Sequence, residues 1–295
     1  MENNNIRLHD QQLAELAPII QLFKNRSQVE AIICFGVLYA HTNNHTCFLT
    51  PYAETGNFYY LLVIIADNTL AGYKIQDLIN NKYKTSVFLI VHELKAVKEM
   101  ISQKNRFFVN ALRNGALLHT SKNYAIRVKV FPEGTRQTMA KDKDAFKHSY
   151  HLARGFYECA TDSYEKGCYH HVLLLLHEAA EQACRGLIRL YTGYRSEMHS
   201  LSSLLVFCNC FSYDPSILFS RYFKEEKRLF NLLANSHNKV RYTDNYTIMD
   251  HDADRLCSLI KSFLDLTLQL SLKKEPHIGT AKDTVDKQAA VSNYC

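Results

Sequence analysis

Residues 168–205, CYHHVLLLLHEAAEQACRGLIRLYTGYRSEMHSLSSLL, constrain this chain more than any other stretch. Leu173, Leu176, Ala180, Ala183, Leu187 and Leu190 recur in steps of three and four, which places them on one face of a helix. Val172, Leu175, Ala179 and Cys184 widen that face, so the helix is predicted to be central in a bundle. Its polar remainder is narrow: His171, Glu178, Gln182, Arg185 and Arg189. Gly193 is placed to stop the helix, and a second helix is predicted to open at His199.

The rest of the chain is compatible with packed domains. Its 295 residues suffice for one large or two ordinary domains. A hydrophobic fraction of 47%, with ten glycines and five prolines, argues for a globular protein rather than a disordered one. The net charge of +6 permits an anionic partner without requiring one. Nine cysteines, an odd number, sit mostly in apolar runs, which fits reduced thiols in a cytoplasmic protein. Cys208-x-Cys210 has the wrong spacing for a zinc knuckle. The polar start MENNNIRLHDQQ is unlike a signal peptide, and no apolar run approaches the ~18 residues of a membrane span, so no membrane partner is expected.

Two textures divide the chain into an α+β arrangement. Residues 1–131 mix helix and strand. A helix is predicted over 8–26, strands over Val29–Ala40, Thr46–Tyr52, Phe58–Ala66 and Thr85–Val91, and helices over Gly72–Lys82 and Leu94–Leu112, the last stopped by Gly115. Asn43-Asn44 is predicted to turn between the first two strands and Thr55-Gly56-Asn57 into the third, with one more strand at Tyr124–Phe131. The polar stretch at 132–144, with Pro132 and Gly134, is the linker candidate, set at 132–142. Residues 143–273 read as all-α, with helices near 143–166, 168–192, 199–212, 215–237 and 249–272. The tail at 274–295 lacks apolar periodicity and is expected to be disordered.

The helical half resembles HEPN domains, small all-α modules associated with nucleotides and RNA. The resemblance rests on Leu176-His177-Glu178-Ala179-Ala180-Glu181-Gln182-Ala183, on Gly193 and on His199-Ser200-Leu201. It implies a helical bundle and a homodimer formed through it. HEPN domains often follow a minimal nucleotidyltransferase domain, and the order of the two halves matches that arrangement. In that transferase family an Asp-x-Asp strand and a third carboxylate hold two Mg²⁺ ions against the triphosphate. Here Phe35-Gly36 is followed by Val37 where serine is expected. Phe58-Tyr59-Tyr60-Leu61-Leu62-Val63 resembles the Asp-x-Asp-Leu-Leu-Val strand with Phe58 and Tyr60 at the carboxylate positions, and Thr85–Val91 has no acid. Residues 1–131 are thus read as a degenerate transferase-like domain. An unrelated α/β domain is the alternative, favoured by the Asn43-Asn44 hairpin where the family places a helix.

Many HEPN ribonucleases carry Arg-x4-6-His, in which histidine moves a proton and arginine holds the scissile phosphate. Only Arg113-x5-His119 has that spacing, and it lies in the first half. The segment Leu233–Asp244 resembles the Ala-Arg-Tyr segment before the last helix of non-nuclease HEPN domains, through Arg241-Tyr242. If it stays helical, His237 and Arg241 share a face. Candidate phosphate-binding residues are therefore Arg241, His237, Lys239 and Arg228. The ligand expected is a nucleotide or RNA phosphate, with no metal, cofactor or catalytic residue. A divergent HEPN ribonuclease and a protein–protein interaction module are the alternatives.

Overall fold

The computed structural model describes residues 6–26, 28–38, 42–46, 49–54, 58–66, 72–83, 85–122, 136–221, 223–242 and 248–274. They fall into two units. The first is drawn from Met1–Met139 with Thr192–Tyr194 and Cys210–Ser212; the second from Ala140–Tyr191, Arg195–Asn209 and Tyr213–Cys295.

The first unit opens with helix α1 (Asp10–Arg26) and strands β1 (Val29–Leu38), β2 (Thr42–Thr46), β3 (Leu49–Glu54) and β4 (Phe58–Ile65). Helix α2 (Gly72–Lys82), strand β5 (Ser86–Glu93), helices α3 (Leu94–Ser102) and α4 (Arg106–Asn114) and strand β6 (Ala116–Thr120) follow. The sheet order is β3-β2-β1-β4-β5, and β6 also pairs with β1. β4 runs antiparallel to β1 and parallel to β5, the geometry expected when the β4–β5 connection carries a helix. β1 is buried along nearly its whole length, so it reads as a continuous apolar run rather than an alternation. One core cluster gathers Leu16, Ile19 and Phe23 of α1 with Ile32, Cys34, Tyr59, Leu61 and Val63. Their alternation in β1 and β4 assigns these residues to one sheet face. Tyr59 anchors its hydroxyl by donating to Glu15 at 2.8 Å.

The helix expected over 94–112 is two helices. Lys104 adopts φ 57°, which ends α3, and the Asn105 side chain caps α4 by accepting from the Phe107 and Phe108 amides. Gly115 leaves α4 with no room for a side chain: a Cβ there would lie 2.4 Å from the Ala111 carbonyl and 2.6 Å from Ile33. Asn43 and Asn44 are paired inside β2 rather than forming a turn, because β1, β2 and β3 make two hairpins in place of one. Thr55-Gly56-Asn57 and the strand expected at Tyr124–Phe131 lie outside the described residues. Gly36 lies within β1, two residues short of its end, beside an irregularity in the pairing with β4.

The second unit is helical: α5 (Arg136–Glu165), α6 (Tyr169–Thr192), α7 (Leu201–Cys208), α8 (Asp214–Leu218), α9 (Lys224–Tyr242) and α10 (Asp250–Lys273). α5 begins seven residues before the expected start, so Arg136–Asp142, assigned to the linker, is helix. The helix expected over 215–237 is α8 and α9, and the second of these runs to Tyr242. α6 is the central helix its periodicity predicted. Val172, Leu173, Leu176, Ala179, Ala180, Ala183, Cys184, Leu187 and Ile188 have no exposed surface, and Gly193 at φ 79° ends it. The residues of the tail beyond Lys274 lie outside the described set. No described helix is long and apolar enough to cross a membrane. The described cysteines are free, five of them buried.

Candidate functional site

The polar core of the helical unit is built on α6. His177, Glu181 and Arg185 succeed one another at intervals of four, so they stack along one side of the helix. His177 and Glu181 are 1% and 2% exposed. Such groups are rarely buried unless paired. Glu181 Oε1 receives Arg185 Nη2 at 2.7 Å and lies 3.4 Å from His199 Nδ1, just before α7. Glu181 Oε2 lies 3.5 Å from His177 Nε2. Arg185 Nη2 also donates to the Met198 carbonyl at 3.0 Å, and its contact with His199 Nδ1 is 3.2 Å. The other face of His177 meets α9, where Nδ1 is 3.0 Å from the Leu233 carbonyl. Burial on its own would raise the Glu181 pKa. His177, Arg185 and His199 outweigh it and hold the carboxyl below its ordinary value of 4.5. One buried carboxylate therefore ties α6 to the start of α7, and through His177 to α9.

The His177, Glu181 and His199 of the sequence pattern thus meet around a single carboxylate. The sequence carried the residues but not their convergence, because His199 lies beyond a turn. Arg185 was read only as part of the polar stripe.

Helix α9 carries the four candidate phosphate-binding residues. It continues unbroken from Lys224 to Tyr242, so His237 and Arg241 stand four residues apart on one helix. The half-buried His237 ring lies 5.9 Å from the ring of His177. Lys239 and Arg241 belong to the helix, but their side chains lie outside the described residues. Arg228 is employed differently. Its guanidinium donates to both Asp252 oxygens, including Oδ2 at 2.8 Å, and to both Glu225 oxygens. Asp252 is buried, and Arg228 holds its carboxyl below the ordinary range. Arg228 therefore joins α9 to α10, its guanidinium shared by two carboxylates.

Between α8, α9 and α10 lies a cleft of about 380 Å³ floored by Leu218, Phe219, Leu229, Phe230 and Leu259. The Arg221 guanidinium sits 4.7 Å over the Phe230 ring. Ile217 and Phe223, beside the cleft in sequence, are 62% and 72% exposed.

In the first unit, the positions of the expected carboxylates are filled with aromatic packing. Tyr60 is fully buried, with ring centres 5.2 Å from Phe58, 5.8 Å from Phe35 and 5.7 Å from Phe88. Among the described residues no group of three or more His, Cys, Asp or Glu side chains is arranged to hold a metal. Arg113 lies in the last turn of α4 and His119 in β6, both in the first unit and outside the helical half.

No curated protein matches the chain. Among solved structures, a nucleotidyltransferase-like protein from Exiguobacterium sibiricum 255-15 is similar over 96% of this chain and 86% of its own, at 12% identity and a TM-score of 0.32. The family model described as HEPN domain matches residues 147–270, from within α5 to within α10. Residues 147–270 of the helical half thus match the HEPN domain family.

Proposed function

We propose that this protein binds the phosphate of a nucleotide or RNA through the C-terminal half of α9, and that its first unit is a transferase-like fold without transfer activity. The observation that carries the reading is the continuity of α9 to Tyr242, which sets His237, Lys239 and Arg241 on two successive turns of one helix. An arginine and a histidine one turn apart can both donate to a single phosphate, and charge-assisted bonds of this kind are about twice as strong as neutral ones. Arg228 is left out of the site because two carboxylates occupy it. A second copy of the chain, docked through the HEPN domain, is the partner the resemblance implies.

The lack of transfer activity is supported by Phe58 and Tyr60. An aromatic ring cannot coordinate Mg²⁺, and the space around Tyr60 is taken by three further rings. The test is fluorescence anisotropy with a labelled single-stranded RNA and with ATP, in parallel with incubation of labelled NTPs and Mg²⁺. Saturable binding without covalent labelling is expected; labelling, or an absence of binding to either probe, contradicts the proposal.

A second reading has its own observation. The exposed Ile217 and Phe223 beside the α8–α9–α10 cleft favour an interaction surface for another protein. In that case neither RNA nor nucleotide binds.

A further inference from the structure

We propose that His177 is held as an imidazolium between the Leu233 carbonyl and Glu181, so that one bound proton clamps α9 to α6. The argument is one of donors and acceptors. A carbonyl oxygen can only accept, so the 3.0 Å contact with Leu233 requires a proton on Nδ1. Nε2 faces Glu181 Oε2 at 3.5 Å, and among the described residues neither atom has another hydrogen-bond partner. A neutral ring would turn its lone pair toward a buried carboxylate oxygen. One proton must therefore sit between them, on the imidazole or on the carboxyl.

Arg185 decides which. Its guanidinium lies 2.7 Å from the other oxygen of the same carboxylate and favours the ionised form. The proton therefore belongs to His177.

The described groups around the ring are few. On α6 they are Glu181 and Arg185. Before α7 stand His199 and the Met198 carbonyl, which reach the ring only through Glu181 and Arg185. On α9 are the Leu233 carbonyl, which also accepts from the Ser236 hydroxyl at 2.7 Å, and the His237 ring at 5.9 Å. Beyond Glu181 lies Cys184, whose thiol is kept protonated by burial. The balance is one carboxylate between an imidazolium and a guanidinium. Removing the His177 proton leaves two acceptors face to face in a buried site and pushes the ring away from Glu181. The strain falls on the Leu233 turn of α9, immediately before His237. The clamp acts on the helix of the proposed phosphate site, but it does not depend on any ligand binding there.

The test uses the full chain labelled with ¹⁵N-histidine. A long-range ¹H–¹⁵N spectrum at pH 7 is expected to show both nitrogens of one buried histidine in the protonated range. The resonance is assigned by its loss in His177→Gln or, if that variant does not fold, by its contacts to Leu233. A neutral ring with a bare Nε2 overturns the proposal. Glu181→Gln is the second arm. Its amide can accept from Arg185 and donate to a neutral Nε2, so His177 is expected to revert to the neutral Nδ1–H form while α9 stays in place. Amide hydrogen exchange across 233–242, corrected for intrinsic rate, is then expected to lose protection as pH rises in the wild type but not in Glu181→Gln. Protection that is independent of pH in the wild type overturns the clamp.

Discussion

Replacing Glu181 with alanine tests the polar core most severely. The side chain is 2% exposed and holds Arg185 at 2.7 Å with the imidazole of His177 at 3.5 Å. Losing the direct charged hydrogen bond accounts for about 1.5–3 kcal/mol. Alanine also strands a guanidinium that is itself four-fifths buried, and it leaves the buried His177 ring facing a cavity. Breaking a buried pair from one side costs about 3–5 kcal/mol in total. That is a large share of the ~5–15 kcal/mol by which a domain is stable. Urea unfolding followed by far-ultraviolet circular dichroism should show a lower midpoint at unchanged slope. Replacing the whole cluster by apolar residues of similar size, as in His177→Leu/Glu181→Leu/Arg185→Met, should recover most of the loss, because no charge is then left unpaired. An Glu181→Ala protein within about 1 kcal/mol of wild type would refute the reasoning, since so small a loss is typical of exposed pairs.

The same carboxylate predicts an acid limb. Its folded pKa lies below the ordinary 4.5, so its contribution is fully present above that value and is lost as pH falls through the folded pKa; thermal stability measured from pH 6 downward should drop below about pH 4.5, and the drop should be shallower in Glu181→Gln. Gly115→Ala should destabilise the first unit by about 1–3 kcal/mol or more, because the added methyl meets the Ala111 and Cys34 carbonyls rather than a side chain that can swing away; a neutral effect in urea titration would contradict the packing at the end of α4. Tyr60→Asp, which places a carboxylate where the resemblance to transferases expects one, should not confer nucleotide transfer and should abolish cooperative unfolding of the first unit, because the new charge is buried among Phe35, Phe58 and Phe88; a folded, labelling-competent variant would contradict it.

The helical half was legible because its signals are local. The three-and-four spacing of α6 and the glycine that ends it are written in consecutive residues, and the buried set of α6 is largely the predicted one. The first half was legible in its main strands and blurred in its turns. A left-handed Lys104 splits a helix whose apolar pattern runs straight through the break, and β6 is held by pairing to distant β1 rather than by its own composition. The candidate site divided in the same way. The shared face of His237 and Arg241 was conditional on a helix expected to end at 237, and the continuation of α9 to Tyr242 meets that condition. The engagement of Arg228 could not be read from the chain, because Asp252 lies 24 residues away. Nor could the meeting of His177, Arg185 and His199 on Glu181, which only the packing of α6 against α7 and α9 brings about.

The central claim is that α9 presents a phosphate site at its end, and Arg241→Ala measures it directly. The variant is expected to keep the wild-type unfolding midpoint. Loss of one charge-assisted bond of about 1.5–3 kcal/mol corresponds to roughly ten- to a hundredfold weaker binding. With a labelled single-stranded RNA titrated at several salt concentrations, the account predicts that loss together with a salt slope shallower by about 0.7, the share of one phosphate contact on a single strand. RNA binding that is tight in the wild type and equally tight, with the same salt slope, in Arg241→Ala would contradict it.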